Sequence, residues 1–269
     1  MSVEGRVTDY DSGIADRFDL RYSLYRYDGV RDTLLDFLGP QPVAALEVGC
    51  GTGHWLAEIG ARLTPSPDEK GPILAGVDPS TQMLAQAAAR SAKASAKRPR
   101  LVRARAEDLP WGDATFDRLF CVNALHHFSD RQKFFAEARR VLKPGGGLLT
   151  VGKDPYTDRD EWWVYEYFEE TRAIDRERFA RVRTLRGEIA LAGFAWTESM
   201  EADHIEVVLA AADVLASGAA DPKFTSQLTV LSPEEFSRGT DRLRQANEAA
   251  DGELQLVADF RLYATVGWV

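Results

Sequence analysis

The chain has 269 residues and a formal charge of 33 − 42 = −9, with 45% apolar and 28% charged residues. The apolar share excludes a disordered chain, and the acidic balance excludes a dedicated nucleic-acid binder, which carries a basic excess. Two cysteines exclude a secreted disulfide framework; with no signal-peptide run at the N-terminus and no stretch apolar enough to span a bilayer, a cytoplasmic globular protein is expected.

Residues 1–40 read as a helical arm, in which Tyr10, Phe18, Tyr22, Tyr25 and Tyr27 precede the pattern Val30-Leu34-Leu35-Phe37-Leu38 and a stop at Gly39-Pro40. A core follows over 41–152. Val43 to Val48 is a short apolar run into glycines, hence a buried strand; His54 to Leu63 fits a helix, and Thr64 to Pro72 is a turn-rich loop. Ile73 to Val77 is a second strand, and Ser80 caps an alanine-rich helix running to about Lys97. Arg100 to Ala104 and Phe116 to Val122 are strands three and four. The helix Asp130 to Leu142 is closed by Lys143-Pro144-Gly145-Gly146-Gly147, and Leu148 to Val151 is strand five. Such alternation implies a doubly wound α/β fold, its parallel sheet covered by helices on both faces.

The remainder is less regular. Residues 153–183 read as a cap insertion, charged but carrying Trp162, Trp163, Tyr165, Tyr167 and Phe168 within seven positions. Residues 184–269 return to the sheet: a helix to Leu191, a break at Gly193, a strand-like run to about His204, helices at Ile205 to Leu215 and Pro233 to Ala250, and a closing strand from Leu254 to Val269.

The densest chemistry lies in Leu46-Glu47-Val48-Gly49-Cys50-Gly51-Thr52-Gly53-His54. Here a strand delivers an acid and three glycines turn the backbone into a helix, leaving room for a ligand where a Cβ would stand. A dinucleotide fingerprint needs Gly-x-Gly-x-x-Gly, whereas the spacing here is Gly-x-Gly-x-Gly. Glu47 would also sit badly beside a diphosphate and well beside a cation, which opposes a nicotinamide-dependent oxidoreductase. S-adenosylmethionine, with an ammonium, a sulfonium and no phosphate, has the matching chemistry. At the end of strand two, the Asp78 carboxylate of Gly76-Val77-Asp78-Pro79-Ser80 can accept both hydroxyls of a ribose, and Met83 lies one turn into the next helix. Asn123-Ala124-Leu125-His126-His127 follows strand four at the sheet's functional edge, while Asp117 anchors that strand's start. A histidine can take a proton at neutral pH, which makes His127, and then His126, the candidate general base.

With these motifs in order, the segment from about 43 to 152 resembles the core of a class I S-adenosylmethionine-dependent methyltransferase, most similar to the small-molecule group of ubiquinone and menaquinone biosynthesis enzymes. The resemblance implies a Rossmann-like, mostly parallel sheet of seven strands with helical cap insertions. It implies cofactor contacts from Glu47, Gly49, Cys50, Gly51, Thr52, Gly53, Asp78, Pro79, Met83, Ala106, Glu107, Asn123 and Ala124. In the family the residue before Ala106 is usually Asp or Asn; here it is Arg105. The absence of prolines after Asn123 speaks against nucleobase amines as acceptors.

The resemblance places the acceptor pocket in the arm and the cap, with Tyr22, Arg26, Asp154, Tyr156, Trp163 and Tyr167 as candidate lining. Arg21 is a second candidate for the cofactor carboxylate, and His204 and Thr225-Ser226-Gln227 are further pocket candidates. At helical spacing Trp162, Tyr165 and Phe168 form one stripe expected to pack, leaving Trp163 and Tyr167 freer. The implied activity is methyl transfer to a small molecule, with a protein or RNA acceptor as the alternative and a non-catalytic cofactor-binding protein as a further class. No metal, nucleic-acid or membrane partner is expected, and the oligomeric state stays open between monomer and homodimer.

Overall fold

A computed structural model of the protein describes residues 19–39, 43–63, 73–93 and 98–269. The expectations for Tyr10, Phe18, Pro40, the loop over 64–72 and the helix end at Lys97 lie outside the described residues. In chain order the elements are α1 (Arg21–Leu24), α2 (Asp28–Leu38), β1 (Ala44–Val48), α3 (His54–Arg62), β2 (Ile73–Asp78), α4 (Thr81–Lys93), β3 (Arg100–Arg103), β4 (Phe116–Val122), a 3₁₀ turn (Leu125–His127) and α5 (Arg131–Val141). Then come β5 (Leu142–Gly152), β6 (Glu161–Trp162), α6 (Trp163–Tyr167), α7 (Glu170–Arg178), α8 (Val182–Leu191), β7 (Trp196–Ala210), α9 (Ala211–Ser217), α10 (Ser226–Thr229), α11 (Pro233–Ala249) and β8 (Gln255–Trp268).

Two compact units divide the chain. The larger comprises 28–153, 181–203 and 262–269. In it β1 pairs in parallel with β2 and β4, β2 with β3, and β4 with β5. The end of β8 closes antiparallel on β5, from Gly147↔Trp268 to Gly152↔Tyr263. The strand order β3-β2-β1-β4-β5-β8 reverses direction at β1, so the C-terminal ends of β1 and β4 flank the crevice where open α/β sheets bind ligands. β1, β2 and β4 are apolar and buried along most of their length, as strands covered on both faces must be. Phe134, Phe135, Ala138 and Val141 of α5 pack on them, and each fully buried Phe contributes about 1.5–3 kcal/mol. Asp117 anchors β4 as expected: its Oδ2 accepts from Ala44 N at 2.9 Å and its Oδ1 from Lys143 Nζ at 2.9 Å.

The smaller unit comprises residues up to 27, 154–180 and 204–261. Its centre is Tyr25, whose hydroxyl oxygen accepts the indole N–H of Trp162 (3.2 Å) and of Trp163 (3.0 Å), with Phe224 and Phe260 packed on the ring. A second node is the buried Asp175, whose Oδ2 accepts from Tyr165 Oη at 2.7 Å and Gln227 Nε2 at 3.0 Å. β6 pairs antiparallel with β8 at Glu161↔Asp259 and Trp162↔Ala258.

Three expectations are corrected. Eight strands are hydrogen-bonded among the described residues, not seven; the additional one is the two-residue β6. The helix expected over Ile205 to Leu215 is strand as far as Ala210, because Ile205, Val207 and Val208 favour a pleated surface paired with β8; only Ala211–Ser217 is helical. β5 begins at Leu142, and the Pro-Gly segment is an excursion within it, with φ +74° at Gly145 and a register shift between the Phe116 and Arg118 pairings.

Candidate active site

The glycine turn after β1 is held amide by amide. Gly49 N and Cys50 N donate to Val77 O at 2.8 and 3.0 Å, and Gly51 N donates to Asp78 Oδ2 at 2.9 Å. Gly49, Gly51 and Gly53 have φ of +73°, +50° and +71°, which a side chain would strain. Packing forbids one as well: a Cβ on Gly49 would stand 2.5 Å from the Ala124 Cβ, and one on Gly53 2.9 Å from the Ala87 Cβ. The turn therefore lies between the segment after β4 and helix α4. Cys50 is buried, and the space beside its Sγ exists because Gly76 of β2 has no side chain.

Glu47 ends up 1% exposed on β1, and its Oε2 has no hydrogen-bond partner. Burial drives its carboxyl well above the usual carboxylate range and the nearby Asp78 charge adds to the rise, against a backbone hydrogen bond from Leu56. A buried carboxylate oxygen left without a donor is costly. Two acids flanking the glycine turn, Glu47 on β1 and Asp78 at the end of β2, make a receptor for a cation and an unfavourable one for a diphosphate, so the donor set fits the ammonium-bearing S-adenosylmethionine.

At the end of β2, Asp78 is buried; its Oδ1 accepts from Ser80 N at 2.9 Å while Oδ2 holds Gly51 N. Each oxygen retains a further lone pair for a ribose hydroxyl. Ser80 caps α4 as expected, its Oγ accepting from Met83 N at 3.2 Å. Met83 is buried on α4 and Pro79 is exposed.

After β3, Ala106 is buried and the Arg105 side chain is 72% exposed. Glu107 spans to the segment after β4, its Oε1 accepting from Ser129 N (2.7 Å), Ser129 Oγ (2.8 Å) and Asp130 N (3.2 Å). Burial opposes ionisation of Glu107, and these donors outweigh it and hold its carboxyl below the usual value. One of its oxygens is thus committed to joining two loops of the site. Asn123 leaves β4 in the left-handed region, φ +50°, with its amide on Val151 O at 2.8 Å, and Ala124 packs beneath Gly49. His126 and His127 then share the 3₁₀ turn, half-buried, with ring centroids 3.9 Å apart.

The cap residues divide differently from expectation. Trp162, Tyr165 and Phe168 are buried as the stripe predicted, but Trp163 is 0% exposed rather than free, because its indole N–H is tied to Tyr25. Tyr167 is half-buried and Arg26 exposed. Tyr22 is half-buried, edge-on to Tyr27 at 5.4 Å and donor-linked to Arg21. Asp154 is buried and accepts Tyr156 N at 3.1 Å, and the Tyr156 hydroxyl bonds the Arg176 carbonyl. His204 pairs with Asp259 at 2.8 Å, and Thr225 caps α10. Sequence reasoning missed Leu56, which donates to Glu47, and Arg90, whose Nε donates to Thr52 O at 3.1 Å. Arg90 was detectable as the residue seven beyond Met83 on one helix face.

Among the described residues no group of three or more His, Cys, Asp or Glu is placed to hold a metal, and no helix is long and apolar enough to cross a membrane. Residues 46–150 match the family model described as a methyltransferase domain. A demethylmenaquinone methyltransferase of Bacillus mycoides is 30% identical over 155 residues, which are 56% of this chain and 63% of that protein. The protein YcgJ of Bacillus subtilis superposes with a TM-score of 0.62 at 18% identity, covering 90% of this chain and 98% of that one. Phosphoethanolamine N-methyltransferase 2 of Haemonchus contortus, solved with S-adenosyl-L-methionine, gives 0.56 at 18% identity over 94% of this chain and 59% of that one. The fold is thus the Rossmann-like fold of the methyltransferases. Over 46–150 the chain is thus similar to methyltransferase domains, and its sequence there resembles demethylmenaquinone methyltransferases. The chain spans 41% and 63% of the first two curated relatives it matches.

Proposed function

We propose that the protein transfers a methyl group from S-adenosylmethionine to a small-molecule acceptor by direct in-line displacement. The observation that carries this reading is the buried, unpartnered Oε2 of Glu47 beside a glycine turn in which packing leaves no room for a side chain at Gly49 or Gly53. Glu47 and the Gly49–Gly53 backbone, including Cys50 and Thr52, would hold the methionine portion; Asp78 and Pro79 the ribose; Met83, Ala106 and Glu107 the adenine; Asn123 and Ala124 the turn nearest the sulfur. Bound there, the cofactor supplies a methyl group on a sulfonium, a good leaving group.

What the chain contributes is binding, orientation and exclusion of water, which dominate when the leaving group is already activated. His127, with the His126 ring tilted beside it, takes the proton of an acceptor that arrives protonated. Tyr22, Arg26, Asp154, Tyr156 and Tyr167 would furnish the acceptor surface, while Trp163 is buried and tied to Tyr25. Aromatic walls suit a planar, apolar acceptor with an O, N or C nucleophile, a class that includes the demethylmenaquinone in the name of the Bacillus mycoides relative.

The test is methyl-labelled S-adenosylmethionine offered with a panel of naphthoquinols, phenols and amines. Labelled product forming in step with S-adenosylhomocysteine is the expected result. Binding of the cofactor with no transfer to any acceptor in the panel would overturn the small-molecule reading.

A further inference from the structure

The site includes a support that the motifs do not name. Helix α4 turns Met83, Ala87 and Arg90 to one face, at positions i, i+4 and i+7. Ala87 is fully buried, and the absent side chain of Gly53 lets the turn approach within 2.9 Å (Gly53 virtual Cβ to Ala87 Cβ) and 3.2 Å (to Ala87 Cα). One turn of helix later, the Arg90 Nε donates to the Thr52 carbonyl at 3.1 Å. The peptide between Thr52 and Gly53 is thereby held at both ends, its oxygen by Arg90 and its N–H by the Cys50 carbonyl at 2.9 Å.

This matters because of the glycines around it. Gly51 and Gly53 have no side chain to restrict their dihedrals, and a Cβ on Gly51 would meet nothing within 4 Å. A loose turn has to be ordered when a ligand arrives, and that ordering subtracts from affinity. Val77 and Asp78 fix the amides of the first half, Gly49 to Gly51. The second half is fixed from α4, by the Ala87 contact and the Arg90 hydrogen bond.

We propose that Arg90 is a positioning residue for cofactor binding, which holds the Thr52–Gly53 peptide in its binding conformation without touching the ligand. The inference rests on the reading of the glycine turn as an S-adenosylmethionine site. S-adenosylhomocysteine carries both an ammonium and a carboxylate and has no net charge, so loss of the Arg90 charge has no large direct effect on its binding; loss of pre-organisation weakens it.

The experiment is calorimetric titration of S-adenosylhomocysteine into the wild type and into R90M, R90A and R90K, with thermal melting and amide exchange of residues 50–53 on the same samples. R90M and R90A lose about tenfold in affinity and exchange the turn amides faster, R90K recovers most of the affinity, and all four remain folded. R90M keeps the aliphatic stem, so it separates the hydrogen bond from packing. Wild-type affinity in R90M, with or without a lowered melting temperature, overturns the positioning role. No binding by the folded wild type overturns the cofactor reading itself, and the two failures are thus distinguishable.

Discussion

At the scale of the residue, Glu47 is where the physics is most one-sided. The side chain sits in the core with one oxygen unpartnered and a second carboxyl nearby. Burial and then the Asp78 charge favour its protonated form in the free protein, and a cation beside it favours the ionised form. Binding of an ammonium-bearing ligand should therefore release a proton from Glu47. Affinity should rise with pH up to the point at which Glu47 ionises without ligand. The sign for stability is opposite. A carboxyl whose folded value lies above its unfolded one stabilises the folded chain below the ordinary carboxylate range, and that contribution fades as pH rises toward its own value. Titrations in two buffers of different ionisation enthalpy measure the released proton directly. Buffer-independent heat, or equal proton release from E47Q, would contradict the assignment. Glu47 was legible in the sequence because few chemistries other than a cation justify an acid at the buried end of a strand. Glu107 was only half legible, since nothing in its neighbours announced that Ser129 and Asp130 would claim one of its oxygens.

At the level of elements, packing ties segments that are distant in sequence. The glycine turn and the segment after β4 are one packed unit, because Gly49 and Ala124 meet where a methyl group would overlap. Gly49→Ala adds both a left-handed alanine and that overlap, so it should cost about 1–3 kcal/mol of stability and abolish most cofactor affinity. Chemical denaturation of the variant checks the first figure, and a change under 0.5 kcal/mol would show that the turn can relax. In the smaller unit, Tyr25 has the corresponding role. Burial pushes its hydroxyl up to about 12 despite the two indole donors, so it stays neutral and accepts from both Trp162 and Trp163. Tyr25→Phe strands two buried N–H groups at about 1–3 kcal/mol each, and a melting temperature equal to wild type would refute this node. The aromatic stripe in the cap was readable from its spacing. The tie between Trp163 and Tyr25 was not, because the two are 138 positions apart and no local pattern links them. β7 escaped for a related reason. Its partner β8 comes at the chain's end, and the run after His204 looks helical until pairing with that strand is known.

Across the whole molecule, legibility follows how far a residue's environment is set by its own sequence neighbours. The five parallel strands and their helices announced themselves through glycine turns, caps and apolar runs, so the larger unit was readable nearly strand by strand. The smaller unit is assembled from three separated stretches of chain, and its contacts are long-range. Glu47, Asp78 and the glycine turn lie in the first class, and the Tyr25, Trp162 and Trp163 cluster in the second.

The central claim is that Glu47, Asp78 and the glycine turn form an S-adenosylmethionine site, and calorimetric titration with S-adenosylhomocysteine tests it most directly. One site of micromolar-range affinity is expected in the wild type and at least tenfold weaker binding in D78A, with folding retained. A folded wild type that shows no heat of binding, or a D78A variant that binds as tightly as wild type, would contradict it.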